Sequence, residues 1–203
     1  MFLENLSMKK ILRFLKWLVL TFCVLIVIAL IFIQNLNFSL SEQEINTAFS
    51  GLPYESEHHF LTHLDRQIHY VAIGDTSNPK VLFIHGSPGS WDNFIDFMSN
   101  PELLSKFRMI SVDRPGFGRS GNGIPERSLL HQAEVISMIL DQENSSTKTI
   151  LAGHSFGGPV IARVAIDYPE KVDELIFIAA SIDPDLEKTK WFQIPFHYKV
   201  LSW

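Results

Sequence analysis

The chain has 203 residues, of which 46% are hydrophobic, and a formal net charge of −5 at pH 7. That is apolar material for one buried core plus an appendage, and the acidic balance gives no basic footprint for nucleic acid. The single cysteine, Cys23, excludes an internal disulfide, and no Cys/His cluster has zinc-ligand spacing.

Residues 1–16 carry Lys9, Lys10, Arg13 and Lys16 against one acid, Glu4. From 17 to 33 every residue is apolar except Thr21, and the next charge is Glu42. This run is long enough to cross a bilayer. The basic flank keeps the N-terminus cytoplasmic and sends the rest across, as a single-pass signal anchor. A cleaved signal peptide is the alternative, but the run exceeds the usual apolar core of one and Gln34-Asn35-Leu36-Asn37-Phe38 offers no small-x-small cleavage site.

Residues 34–59 are mixed and polar and read as a spacer. Within them Ser41-Glu42-Gln43-Glu44 resembles a helix start, and Gly51-Leu52-Pro53 breaks that helix. Two alternating runs at 60–64 and 67–71 flank Asp65-Arg66 and predict an antiparallel hairpin. His63, His69 and His131 fall on scaffold elements and read as surface or satisfied core residues.

Lys80-Val81-Leu82-Phe83-Ile84 reads as a buried strand running into His85-Gly86-Ser87-Pro88-Gly89. A helix is expected near 91–98. Residues 109–112 form the next strand, entering the rigid loop Asp113-Arg114-Pro115-Gly116-Phe117-Gly118-Arg119-Ser120. Arg114 or Arg119 pairing with Asp113 would account for that loop as scaffold. Leu129, Ala133, Ile136 and Leu140 form a stripe at helical spacing within 128–142.

Residues 148–152 read as a buried strand and 159–168 as a buried helix. Between them lies Gly153-His154-Ser155-Phe156-Gly157. A serine on a strand-to-helix turn is pushed out at the carboxyl end of the sheet, where the helix N-terminus aims N–H groups at a developing oxyanion. Ser155 is therefore a candidate nucleophile. His154, its neighbour, points elsewhere.

These three motifs, in this order, resemble the α/β-hydrolase-fold family over roughly residues 60–183. The resemblance implies a mostly parallel sheet and a role for each matching position. Ser155 would be the nucleophile, the backbone N–H groups of Phe156 and Ser87 would form the oxyanion hole, and His85 would brace its loop. The implied reaction is hydrolysis of a carboxylic ester, less readily an amide, through an acyl-enzyme. Serine at the elbow argues against the family's epoxide hydrolases and dehalogenases, which attack with aspartate. No metal or organic cofactor is implied. The partners are a small-molecule ester or amide and the membrane.

The family's order is nucleophile, acid, then histidine. After Ser155 the only histidine is His197, in a stretch where the family pattern opens a lid, and Asp183 is the one candidate acid. The reading is thus of a domain over 60–183, incomplete after its sixth strand, with 184–203 as the start of a lid. Turnover of a short nitrophenyl ester is expected to stay near background. The alternative is an inactive remnant or a membrane-anchored binding module. Residues 174–180 would then be an apolar sheet edge, and the aromatic tail from Trp191 to Trp203 would have little to cover it.

Overall fold

A computed structural model of the chain describes residues 2–34, 39–121, 123–124, 126–143, 147–183 and 185. His197 and the aromatic tail lie outside the described residues. Two compact units are present, Met1–Asn37 and Phe38–Trp203.

The first unit holds one helix, α1 (Phe2–Gln34). Its stretch Lys10–Ala29 is long and apolar enough to cross a membrane, a property a signal sequence shares. The side chains along that stretch are exposed. Its one hydroxyl is satisfied within the helix: Thr21 Oγ1 donates to Trp17 O at 2.9 Å.

The second unit follows the chain order α2 (Glu42–Phe49), β1 (Glu57–His63), β2 (Arg66–Ile73), β3 (Lys80–Ile84), a 3₁₀ turn (Trp91–Phe94), α3 (Ile95–Met98), α4 (Pro101–Leu104), β4 (Arg108–Val112), α5 (Leu129–Gln142), β5 (Thr149–His154), α6 (Gly157–Asp167) and β6 (Glu174–Ile178). Among the described residues the strands form one mixed sheet in the order β1-β2-β4-β3-β5-β6. β1 and β2 pair antiparallel, β2 runs antiparallel to β4, and β4, β3, β5 and β6 are parallel. The hairpin expected around Asp65-Arg66 is present, with Phe60 opposite His69.

Alternation along the strands divides the core between the two faces. Leu82 and Ile84 of β3 join Ile110, Val112 and Leu151 beneath α5 and α6, with Ala133, Ile136, Val160 and Val164. Val81 and Phe83 join Val71, Met109 and Ile150 on the other face, covered by Trp91, Phe94, Met98 and Leu104.

The stretch expected to be a spacer contributes to that second face. Ser41 caps α2 in a capping box with Glu44, as the sequence predicts. Ile45, Ala48 and Phe49 make a one-sided apolar stripe that packs on the core with Leu52 and Tyr54. Two hydrogen bonds fasten its start: Leu40 N–H donates to Asp92 at 2.5 Å, and the Ser39 and Ser90 hydroxyls lie 3.1 Å apart. A short amphipathic helix buries its stripe wherever a matching face lies open.

Candidate active site

Ser155 occupies the turn between β5 and α6, with φ +50°. A non-glycine residue in the left-handed region costs about 1–2 kcal/mol, so its surroundings must hold it there. They do so through three backbone hydrogen bonds. Ser155 N–H donates to Ile178 O at 3.1 Å, while Gly158 and Ser181 N–H donate to Ser155 O at 3.0 Å each. The Ser155 turn is thus tied on one side to its own helix and on the other to the exit of β6.

Close approach requires glycine on both sides of this turn. A Cβ on Gly86 would lie 2.8 Å from Ser155 Cβ. One on Gly157 would collide with the carbonyl of Ile84 at the end of β3. The loop after β3 and the turn after β5 therefore touch backbone to backbone.

That contact brings the sequence-predicted groups to the same edge of the sheet. Ser87 and Phe156 are both exposed. Among the described residues neither backbone N–H has a partner. The Ser87–Pro88 peptide is cis. Ser155 Oγ also has no hydrogen-bond partner among the described residues.

His85 is fully buried, and both of its ring nitrogens are engaged by main-chain groups. Its Nε2 lies 3.0 Å from the backbone N–H of Arg114, so it accepts there. Nδ1 therefore carries the proton and donates to Gly86 O at 2.7 Å. Burial, reinforced by the positive charge of Arg114, pushes the imidazole down to about 4. A neutral, doubly engaged ring braces a loop and carries no proton to Ser155.

The Asp113 loop corrects one expectation. Neither guanidinium pairs with Asp113. Its carboxylate instead accepts from His69 Nδ1–H at 2.8 Å, from Trp91 N–H at 2.9 Å and from Arg119 N–H at 3.0 Å. His69 is thus a satisfied core histidine, with His58 Nδ1 2.9 Å from its Nε2. Arg119 reaches Glu42 of α2 at 3.1 Å. Arg114, 2% exposed, donates to His85 O and Gly86 O at 2.8 Å each and to Gln132 Oε1 at 3.0 Å. Its guanidinium also lies over the rings of Phe117 and Phe156, at 4.6 and 5.0 Å. No sequence signal marks these roles, because most of the acceptors are main-chain carbonyls.

Of the remaining histidines, His59, His63 and His131 sit beside Glu57, Glu134 and Glu126 on the scaffold. His154 is exposed and makes no hydrogen bond to Ser155 among the described residues. Asp183 accepts from the N–H of Asp185 at 2.9 Å, which is a turn contact. No group of metal-ligating side chains occurs among the described residues.

A model of the alpha/beta hydrolase fold family matches residues 79–200. Epoxide hydrolase 4 of Mus musculus is 32% identical over 114 residues, covering 55% of this chain and 31% of that protein. The chain thus spans about a third of the length of the curated relatives it matches. Among solved structures, Cfl2 from Burkholderia cenocepacia is 26% identical with a TM-score of 0.60, over 70% of this chain and 50% of that one. A membrane phospholipase A described as a bacterial virulence factor is 28% identical with a TM-score of 0.59, over 83% and 52%.

Proposed function

The chain belongs to the alpha/beta hydrolase fold family, and from that premise we propose that it hydrolyses carboxylic esters through an acyl-enzyme on Ser155. The observation carrying this reading is the left-handed Ser155 at the strand-to-helix turn, with two unpartnered N–H groups at Ser87 and Phe156 on the same edge of the sheet.

In the proposed reaction Ser155 Oγ attacks the ester carbonyl and its proton passes to a base. The tetrahedral oxyanion lies between the Ser87 and Phe156 N–H groups, each such donor contributing about 3–4 kcal/mol to the barrier reduction. Collapse expels the alcohol, and water then releases the acid. The base is not among the described residues, and the imidazole outside them is His197.

Several matched relatives are named epoxide hydrolases. The carboxylate route of that branch of the family needs an aspartate where this chain has Ser155. Ester chemistry is therefore the reading to test, and the phospholipase neighbour and the apolar α1 both favour an amphiphilic acyl ester. In the same reading α1 is a single-pass anchor with its basic end in the cytoplasm.

The test is intact-mass analysis of the detergent-solubilised chain after excess 4-nitrophenyl butyrate. One butyryl adduct on Ser155, absent in Ser155→Ala, is expected. An unmodified Ser155, or conversion of an epoxide that survives Ser155→Ala, would overturn the proposal.

A further inference from the structure

Gly86 carries two donors on one carbonyl, the Nδ1–H of His85 and the Nη2–H of Arg114. In a trans peptide the C=O and the following N–H point in opposite directions. Holding the Gly86 oxygen towards His85 and Arg114 therefore turns the Ser87 N–H away from them. Arg114 also reaches the other candidate donor, since its guanidinium lies over the ring of Phe156. One side chain touches both loops that bear those donors.

Among the described residues no carboxylate pairs with Arg114; its partners are two main-chain carbonyls, the Gln132 amide and two rings. A buried cation bonded to a carbonyl polarises that peptide and strengthens its N–H as a donor. Burying a guanidinium without a carboxylate is costly, and a structural role alone is met more cheaply by a neutral amide.

We propose that Arg114 is a positioning residue of the oxyanion hole: it aims and strengthens the Ser87 N–H through the Gly86 carbonyl and supports the Phe156 turn. This rests on the acyl-transfer reading of Ser155. The guanidinium does not touch substrate.

The experiment uses the full chain in detergent with the variants Arg114→Gln and Arg114→Lys and two probes. One is butylboronic acid, which forms a tetrahedral adduct on a nucleophilic serine. The other is the amide resonance of Ser87 in a ¹H–¹⁵N spectrum. Arg114→Gln is expected to weaken the boronate on the order of tenfold, a fraction of what losing one oxyanion donor costs, and to move the Ser87 amide to higher field. Arg114→Lys keeps the charge but loses the fork, so it should fall between the two. If Arg114→Gln only lowers the melting temperature, with boronate affinity and the Ser87 resonance unchanged, the proposal is wrong. If Arg114→Gln does not fold, Arg114→Lys decides by the same two probes. Should the unaltered chain take no boronate, the acyl-transfer reading fails while the Ser87 resonance still decides whether Arg114 aims that N–H.

Discussion

Two buried arginines flank the same strand, and they are held in opposite ways. Arg108 opens β4 at the amino end of the parallel strands; Arg114 lies just past its carboxyl end. Both are almost inaccessible, at 4% and 2% exposure. Arg108 bonds Glu143 at 2.7 Å and Glu57 at 3.1 Å, and also the carbonyl of Gly74. Burial pulls its guanidinium down, but the bonds to the two carboxylates outweigh this and hold it above the usual arginine range. Among the described residues Arg114 has no carboxylate partner, and burial pushes it down to about 10. It still carries its proton at neutral pH. The contrast separates an ion network that closes the bottom of a sheet from a cation that, among the described residues, is held by carbonyls, an amide and rings.

The most disruptive way to probe this contrast is at the closed end. Arg108→Met strands Glu143, whose side chain is 8% exposed, and removes a partner from Glu57. A loss of about 3–5 kcal/mol in urea unfolding is expected. Binding of boronate to the fraction that remains folded should be unchanged. A loss under about 1 kcal/mol would mean that the network is not what holds this end.

At the open end, pH is the lever. His85 is buried neutral and pushed down to about 4, against an unfolded value near 6.5. Its contribution is fully present above about pH 6.5 and is lost as pH falls through about 4, because the unfolded chain takes up the proton first. The full effect is roughly 3 kcal/mol. Melting temperatures measured from pH 8 to 4 should fall less steeply for His85→Gln than for the unaltered chain. Parallel curves would show that the ring takes up its proton as readily in the folded as in the unfolded chain.

The strained turn comes next. Ser155→Gly removes the penalty of φ +50° and should stabilise the fold by up to about 1 kcal/mol, while abolishing the butyryl adduct. Destabilisation would mean that the Ser155 side chain is held by packing rather than strained.

Arg119 sets the baseline. Its ion pair with Glu42 joins side chains that are 50% and 82% exposed. Arg119→Ala should therefore change stability by no more than about 0.5 kcal/mol. A larger change would show that the exposed partner also helps to hold Asp113.

Much of this architecture can be read along the chain. Short, largely apolar runs leading into glycine-bearing loops mark β3, β4 and β5, and a stripe of i, i+4 and i+7 spacing marks α5. The capping box at Ser41-x-x-Glu44 predicts the start of α2, yet nothing local says that α2 packs on the sheet. The position of Ser155 is equally legible, since a turn between a buried strand and a buried helix leaves its middle residue at the sheet's edge. The pairing of Asp113 is not legible. Two arginines follow it within six residues, but the carboxylate goes to His69, 44 residues away in sequence.

The sequence by itself determined the family, the order of the elements, the candidate nucleophile and the apolar N-terminal helix. The elements and the candidate nucleophile rest on period, turn chemistry and spacing within a few residues, and the family on the resemblance carried by three motifs in order. Tertiary structure alone decided what each buried polar group bonds to. Arg108 and Arg114 are the same residue type at the two ends of one strand, and only the neighbouring chain separates their roles. The start of β1 brings Glu57 and the end of α5 brings Glu143 beside the first, and the main-chain carbonyls of the β3 loop lie beside the second. A main-chain acceptor exists at every residue and leaves no mark in the sequence, so such a partnership is settled only when two loops meet in space.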